Sequence, residues 1–252
     1  MFIMKEEFIS IPKDVWESER KMRFFGADTK DIYKKKYNIF IGISISNKKL
    51  TPNMALNYLR WAVRNTKEKV AVIIADKLNI VNYEILDKYS KTKSEKRAKT
   101  VGDEFEEMFR NAIKKLPDKE KDKVIIYRWE EVEKSDNYDK IKIFLEGQFK
   151  KDNEFKSAVL YFVRKYMRKK GRIVEDKGKI DKLASYMIGE LPTLIQGITL
   201  DNIHYGLCIY PTYFSSGMSQ FVMDMHSKEL NIGKKLDGMD KKKAVLVEAW
   251  LD

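Results

Sequence analysis

The sequence contains few of the residues from which many enzymes build their active sites. Of its 252 residues, one is cysteine and two are histidine. The single cysteine, Cys208, excludes an intramolecular disulfide framework and a metal site made of several cysteines. With only His204 and His226 available, a metal site is poorly supplied with ligands, and a Ser-His-Asp triad would have to recruit one of these two histidines. We therefore expect no metal site.

Long apolar segments and the common nucleotide-binding motifs are also absent. No segment approaches the roughly 20 apolar residues that span a bilayer, so no membrane contact is expected. The first ten residues, MFIMKEEFIS, lack the basic-then-apolar order of a signal peptide. The sequence has no G-x-x-x-x-G-K-[ST] loop and no G-x-G-x-x-G turn, and GISIS lacks the second glycine of G-x-S-x-G. Together with the cysteine content, these features predict a reduced, cytoplasmic protein.

Positive charge exceeds negative charge by a wide margin. The chain has 50 Lys and Arg against 38 Asp and Glu, which gives a formal net charge of +12. Because cations that neutralise a phosphate polyanion release its condensed counterions, a nucleic acid is the expected partner. The alternative is a lysine-rich surface that serves only to keep the protein soluble.

Apolar runs alternate with segments of helical periodicity. Buried strands are predicted over 37–45, 69–76, 122–129 and 204–210. One helix is predicted to begin at Thr51-Pro52, an N-cap followed by proline at the first helical position. Further helices are predicted over 92–115, 137–147, 152–170 and about 177–191. This alternation predicts an α/β fold with a Rossmann-like, mainly parallel sheet and helices on both faces. Without a repeat or linker, we expect one domain, 1–252.

The first predicted strand ends in NIFIGISISN, which places small and polar residues after an apolar run. Because side chains alternate along a strand, Phe40, Gly42 and Ser44 point to one face. Ligands of parallel sheets bind beyond the carboxyl ends of the strands, and Ser44 lies at such an end. Gly42 leaves a gap beside Ser44 where a substrate can approach the backbone. Taken alone, Ser44 also fits an ordinary serine at the end of a strand.

Two later segments carry further polar groups in apolar surroundings. In LASYMIGELP, Tyr186 and Glu190 are four residues apart and lie on one side of a helix. A carboxylate on an apolar helix face needs a partner, and a substrate ammonium would be one. In GLCIYP, Cys208 and Tyr210 share one strand face, and Pro211 ends the strand because it cannot donate to the ladder. Both tyrosines also fit structural positions in a core.

Together, three motifs resemble the cyclodipeptide synthases. They are G-I-S-x-x-N from Gly42 to Asn47, Y-x-x-x-E-L-P from Tyr186 to Pro192, and the pair Tyr210-Pro211. The resemblance implies a fold similar to the catalytic domain of class Ic aminoacyl-tRNA synthetases, and a reaction that needs neither ATP nor a cofactor. The sequence has neither the H-I-G-H nor the K-M-S-K-S signature of adenylate-forming synthetases. Two positions that distinguish the branches of this family disagree here. Pro211 is typical of one branch, and Asn47 is typical of the other.

The resemblance also implies a ping-pong reaction on a serine. Ser44 would attack the ester of a first aminoacyl-tRNA, the aminoacyl group would be joined to that of a second aminoacyl-tRNA, and the dipeptidyl-enzyme would close to a diketopiperazine. Tyr186 and Glu190 would hold the α-ammonium of the first aminoacyl group. Tyr210 would position the intermediate and relay a proton during cyclisation. The shortage of histidine is compatible with this chemistry because the substrate is already an activated ester.

Other positions matched to the family surround the substrate. Gly42 would leave room for the acyl group, and Asn47 would hydrogen-bond near the nucleophile. Phe40, Thr193 and Cys208 are expected to line the pocket of the first aminoacyl group, a medium pocket of slight polarity. These residues do not predict which amino acids are joined.

Basic helices are the expected contacts to the tRNA body. In KTKSEKRAK, residues 91–99, Lys93, Lys96 and Arg97 fall on one side of a helix, and the resemblance assigns these three and Lys99 to phosphate contact. A second cluster also fits an ordinary solvated helix end. It comprises Arg164, Lys165, Arg168, Lys169, Lys170 and Arg172. Two aminoacyl-tRNAs per product are the expected partners. We expect a monomer and leave a homodimer open.

Two other functions remain open at the level of the sequence. One is a non-catalytic RNA-binding module on a synthetase-like scaffold, in which Ser44 is incidental. The other is a serine hydrolase with an unusual dyad, which requires His226 near Ser44.

Overall fold

A computed structural model describes residues 21–25, 29–136, 138–169, 171–172, 174–211, 218–236 and 244–250. The first twenty residues, on which the expectation about a signal peptide rests, lie outside this range. Within the described ranges, no helix combines the length and the apolar character needed to cross a membrane.

The described strands form one seven-stranded sheet with the order β1-β7-β6-β2-β3-β4, and β5 pairs with β6. The strands are β1 (Lys21–Phe25), β2 (Asn38–Ile43), β3 (Val70–Ile74), β4 (Val124–Arg128), β5 (Ile198–Leu200), β6 (Ile203–Pro211) and β7 (Val245–Trp250). The pairs from β7 through β6, β2 and β3 to β4 are all parallel. Only β1 and β5 pair in the antiparallel sense in the described sheet.

Helices connect these strands. They are α1 (Thr29–Tyr33), α2 (Pro52–Asn65), α3 (Ile80–Leu86), α4 (Lys91–Lys114), α5 (Asp118–Lys121), α6 (Trp129–Val132), α7 (Tyr138–Lys151), α8 (Asn153–Lys169), α9 (Lys177–Gln196), α10 (Met218–His226) and α11 (Asn231–Leu236). A single 3₁₀ turn, Lys77–Asn79, precedes α3. The predicted start of α2 is confirmed, because Thr51 accepts a hydrogen bond from the backbone of Met54 and Pro52 is the first helical residue.

Alternation along β2 divides the core into two layers, one on each face of the sheet. Ile39, Ile41 and Ile43 are buried with residues of α2 and α4. Phe40, which points the other way, is buried with residues of α7, α8 and α9. The predicted fold class, a mainly parallel sheet with helices on both faces, is therefore confirmed.

The four predicted strands are the adjacent strands β6, β2, β3 and β4 of this sheet. The prediction missed β1, β5 and β7. The hairpin between β5 and β6 has a recognisable cause, since Asp201 and Asn202 both adopt positive φ values, 50° and 62°. Two such residues form the tight turn whose twist matches that of a hairpin.

Helix α9 continues through Pro192 and ends at Gln196, so the predicted end near residue 191 is wrong. Proline removes one backbone donor, but the segment around it is deeply buried, and packing keeps it helical. Two side-chain hydrogen bonds also support the backbone here. The Tyr138 hydroxyl donates to the Gly189 carbonyl at 2.8 Å, and the Thr193 hydroxyl donates to the Glu190 carbonyl at 2.8 Å.

The end of α9 generates a stability prediction. Gly197 has a φ of 78°, and a Cβ there would lie 2.3 Å from the Tyr205 carbonyl oxygen. Gly197→Ala should therefore lower the free energy of unfolding in urea by about 2 to 4 kcal/mol. The control is Gly147→Ala in α7, where a Cβ meets nothing within 4 Å. That change should stabilise the protein by up to about 1 kcal/mol. Equal effects of the two changes would contradict this account.

Candidate active site

The candidate site lies where the carboxyl ends of β2 and β6 meet the middle of α9. Ser44 directly follows the last residue of β2, and Tyr210 is the last residue but one of β6. Strand pairing places Phe40 beside Cys208. Cys208 and Tyr210 face Gly42, and a Cβ on Gly42 would be at ordinary contact distance, 3.9 Å, from a side-chain atom of each.

The hydroxyl of Ser44 belongs to a small group of hydroxyls. The Tyr186 hydroxyl donates to the Ser44 Oγ at 3.2 Å, and the Ser46 Oγ lies 3.0 Å from the Ser44 Oγ. Neither hydrogen-bonding partner is a histidine. The Nε2 of His226 instead lies 3.0 Å from the Ile195 carbonyl oxygen. A dyad of Ser44 with His226 is therefore not supported by the hydrogen bonds of the described residues.

Glu190 is a buried carboxyl group one helical turn beyond Tyr186. Only 6% of the residue is exposed, and its Oε2 has no hydrogen-bond partner among the described residues. Burial raises the pKa of Glu190 to about 7, although a hydrogen bond with the Tyr210 hydroxyl acts in the opposite direction. A buried anion with an unbonded oxygen is costly unless a cation or donor reaches it. Glu190 is thus suited to bind a small cationic group.

The two tyrosines of the site are neutral hydrogen-bonding groups. Burial, and then the nearby Glu190 carboxylate, raise the pKa of Tyr186 well above its ordinary value. The same two causes raise the pKa of Tyr210. Burial followed by the Glu190 charge also raises the pKa of the Cys208 thiol. This cysteine therefore remains protonated and is a poor nucleophile.

Glu190 and Tyr210 open onto a pocket between the sheet and α9. Its free volume is about 10 Å³, room for a single water molecule, and all three residues predicted to line an acyl pocket are at its wall: Phe40, Thr193 and Cys208. Sequence reasoning missed the other lining residues. They are Ile43, Ile73, Ala75, Trp129, Leu194 and Ile198. Strand alternation predicts part of this set, since Ile73 pairs with Gly42, but no sequence pattern marks Trp129.

Asn47 connects the ends of β2 and β6. Its side-chain Nδ2 donates to the Pro211 carbonyl at 3.2 Å, and its backbone N–H donates to the Ser44 carbonyl at 2.9 Å. Asn47 is therefore a near neighbour of Ser44 through the backbone of a tight turn.

A metal site requires several ligand side chains close together. In the described residues, no group of three or more His, Cys, Asp or Glu side chains is arranged to hold a metal ion.

The basic residues predicted on α4 do not share one environment. Lys93, Lys96 and Arg97 are exposed, whereas Ser94 and Ala98 form the buried side of the helix. The Lys93 ammonium lies 3.9 Å from the ring centroid of Tyr89. Lys99 is engaged by Asp103, 3.3 Å away, and so is not equivalent to the other three cations.

The second predicted basic cluster is only partly described. Arg164 and Arg168 are exposed on α8, and Arg172 lies 3.6 Å from Asp87. Lys170 lies outside the described residues, and the side chain of Lys169 also lies outside them. The described members of this cluster therefore add positive charge to the surface of α8 but do not form a defined site.

The sequence matches the family of cyclodipeptide synthases over residues 21–228. The chain belongs to the cyclodipeptide synthase family. This match confirms the resemblance drawn from the three motifs. Membership implies an enzyme that forms cyclodipeptides. No relative among the curated proteins matches the sequence.

Solved structures of cyclodipeptide synthases share the fold. The enzyme from Staphylococcus haemolyticus has a TM-score of 0.71 at 19% identity, over 93% of this chain and 100% of that chain. The synthase from Candidatus Glomeribacter gigasporarum, solved bound to Phe-tRNAPhe, has a TM-score of 0.52 at 17% identity, over 83% and 86%.

The fold also extends to a synthetase. Tyrosyl-tRNA synthetase from Archaeoglobus fulgidus has a TM-score of 0.52 at 12% identity, over 88% of this chain and 57% of that chain. This similarity confirms the predicted likeness of the fold to that of an aminoacyl-tRNA synthetase.

Burial of Glu190 generates a prediction about stability and pH. Its pKa is raised from 4.5 to about 7, so the folded state binds more protons than the unfolded state between these values, and stability falls as pH rises through this window. Glu190→Gln removes this cost. It should stabilise the protein at pH 8 by about 3 kcal/mol more than at pH 4.5, measured by urea unfolding.

The matched control is Glu107→Gln, a change of an exposed glutamate on α4. Its effect should be small and nearly independent of pH. An equal change of stability by Glu190→Gln at both pH values would contradict the raised pKa of the buried Glu190 carboxyl group.

Proposed function

We propose that the protein is a tRNA-dependent cyclodipeptide synthase that forms its product on Ser44 without ATP. The observation that carries the proposal is the placement of three groups. Tyr186 donates a hydrogen bond to Ser44, and the buried Glu190, one turn further along α9, has an oxygen without a partner. This arrangement offers a hydroxyl nucleophile and an anionic site for an α-ammonium at adjacent positions.

In the first step, the Ser44 hydroxyl attacks the ester carbonyl of an aminoacyl-tRNA and the tRNA leaves. An ester of this kind is activated, so weak activation of the serine is sufficient. Glu190 binds the α-ammonium by charge and Tyr186 by hydrogen bonding. Holding the ammonium restricts the position of the carbonyl next to Ser44, and such orientation lowers a barrier by several kcal/mol.

The acyl side chain is placed in the pocket next to Glu190, whose lining side chains must move apart to admit it. Gly42 provides the close approach to the backbone, while Phe40, Thr193 and Cys208 contribute apolar and weakly polar wall. The polar groups of the lining residues include the Glu190 carboxyl, the Thr193 hydroxyl and the Tyr210 phenol. A side chain with its own charge would meet no compensating group among the lining residues besides Glu190, so an uncharged first aminoacyl group is favoured.

In the second step, the aminoacyl-enzyme reacts with a second aminoacyl-tRNA, and the resulting dipeptidyl-enzyme cyclises. The free amine attacks the ester on Ser44, which releases the diketopiperazine and regenerates the serine hydroxyl. Tyr210 remains protonated because of its raised pKa and can therefore donate a hydrogen bond to the intermediate. It is the group that we assign to proton relay during ring closure.

Aminoacyl-tRNAs, two per product, are the proposed partners. The synthase from Candidatus Glomeribacter gigasporarum bound to Phe-tRNAPhe supports this choice. The exposed cations of α4, Lys93, Lys96 and Arg97, are proposed to contact phosphates, with a smaller share for Lys99 because Asp103 already pairs with it. We further propose that the protein is a monomer with a single domain over 1–252. Its proposed location is the cytoplasm, and its product is proposed to enter secondary metabolism.

The first test replaces the nucleophile. Ser44→Ala should abolish the cyclic dipeptides that the wild-type protein releases into the medium of a bacterial host, as measured by mass spectrometry. Ser227→Ala, a serine change on the exposed segment after α10, is the control and should leave the product unchanged. A non-catalytic RNA-binding module would give no product from the wild type, and a serine hydrolase would depend on His226.

The second test concerns the tRNA contacts. Changing Lys93, Lys96 and Arg97 together to alanine should weaken tRNA binding, because up to three phosphate contacts are lost. The slope of log affinity against log salt concentration should fall by roughly one for each lost contact. The control changes Lys114, Lys115 and Lys119, which removes the same charge from the far end of α4 and from α5. Equal losses in the two triple variants would show that net charge, and not the face of α4, governs binding.

A further inference from the structure

Ser44 is the second member of a chain of four hydroxyl groups. Tyr186 donates to Ser44 at 3.2 Å, the Ser44 and Ser46 Oγ atoms are 3.0 Å apart, and Tyr166 on α8 is hydrogen-bonded to Ser46. The mechanism above uses the first two members of this chain. It leaves Ser46 and Tyr166 without a role.

The local structure holds the two serines on one side of the chain. Ile45, between them, is 4% exposed and anchored in the core. The turn is closed by backbone hydrogen bonds from Asn47 to the Ser44 carbonyl at 2.9 Å and from Lys48 to the Ser46 carbonyl at 3.1 Å. The short distance between the two hydroxyls is thus built into the turn that follows β2.

Acyl transfer to Ser44 requires a proton to move. The serine hydroxyl loses a proton as it forms the new ester, and the ribose oxygen that leaves must gain one. The two hydrogen-bonding partners of the Ser44 hydroxyl in the described residues are both hydroxyls. Tyr186 already donates to Ser44, which leaves the serine's own hydrogen free to be donated to Ser46.

We propose that Ser46 is a catalytic residue that carries the proton between the Ser44 hydroxyl and the departing ribose oxygen, and that Tyr166 is the positioning residue that orients it. This inference rests on the proposed acyl transfer to Ser44. It assigns to Ser46 a task that a histidine performs in serine hydrolases.

The step balances without a charged intermediate on the protein. A bond forms between the Ser44 Oγ and the ester carbon, and the bond between that carbon and the ribose oxygen breaks. The Ser44 proton passes to the Ser46 Oγ while the Ser46 proton passes to the ribose oxygen. Ser46 ends as a neutral hydroxyl, the tRNA ends with a free hydroxyl, and Ser44 ends as an ester.

Tyr166 has the properties that a positioning group needs. It stands on α8, an element separate from the turn that carries both serines, so it constrains Ser46 from outside. Burial raises the pKa of Tyr166, which keeps the phenol protonated. A neutral phenol can hold the Ser46 hydroxyl in one orientation without removing its proton.

The experiment measures one turnover of acylation. Wild-type and variant proteins are mixed with tRNA charged with an amino acid found in the wild-type product, quenched at intervals, and analysed by intact-protein mass spectrometry for the acyl group on Ser44. Ser46→Ala should slow acylation about 100-fold, the lower end of the range for loss of a proton carrier, with little change in tRNA affinity. Ser46→Thr, which keeps the hydroxyl, should restore most of the rate.

Two readouts separate proton transfer from a structural effect. In mixtures of light and heavy water, the wild-type acylation rate should decrease as the deuterium fraction rises. A plot of this rate against the deuterium fraction should be curved, because two protons move together. In Ser46→Ala the curvature should disappear. Tyr166→Phe should slow acylation several-fold, whereas Tyr161→Phe, a change on the exposed side of α8, should have no effect.

The outcomes distinguish this inference from the function on which it rests. If the wild-type protein forms no acyl group on Ser44, the proposed function is wrong. If the wild type is acylated and Ser46→Ala reacts at the same rate with the same isotope dependence, only the assignment of Ser46 is wrong. Should Ser46→Ala fail to fold, a normal rate and isotope dependence in Tyr166→Phe would overturn the proposal.

Discussion

The burial of one carboxyl group, that of Glu190, is the constraint on which the site depends. An anion enclosed by apolar residues destabilises the fold unless a cation reaches it, and this raises the pKa to about 7. The surrounding structure maintains the position nonetheless. Helix α9 continues through Pro192, and hydrogen bonds from Tyr138 and Thr193 support its backbone on either side of Glu190. The fold therefore loses stability at a position that is suited to bind a small cationic group.

The sheet supplies the second half of the site. Parallel strands bring their carboxyl ends to one edge, and the turn after β2 places Ser44 there, within 3.2 Å of Tyr186 from α9. Gly42 on β2 faces Cys208 and Tyr210 of β6, and a Cβ there would stand at ordinary contact distance, 3.9 Å, from both. Asn47 then ties the end of β2 to the end of β6 through the Pro211 carbonyl. Each group therefore depends on packing between elements that are distant in the chain.

The chemistry of the family explains why this arrangement needs so little catalytic equipment. The fold is shared with a tyrosyl-tRNA synthetase, yet the chain lacks the signatures of adenylate formation. In the proposed reaction the ester substrate is already activated, so orientation and proton movement are the tasks that would remain for the protein. Neutral hydroxyls, held by burial in their protonated state, can perform both.

The sequence by itself determined the four central strands, the five longest helices and the class of fold, because periodicity is a local property of the chain. Short motifs also marked Ser44, Tyr186, Glu190 and Tyr210, whose roles stay predictions. The sequence left out β1, β5 and β7, the six shorter helices, the end of α9 and most of the pocket wall, including Trp129. The tertiary structure alone decided that Tyr186 reaches Ser44 and that Tyr166 reaches Ser46. The reason is physical: periodicity tells which side of an element is buried, whereas the partner across that face depends on contacts between segments more than a hundred residues apart.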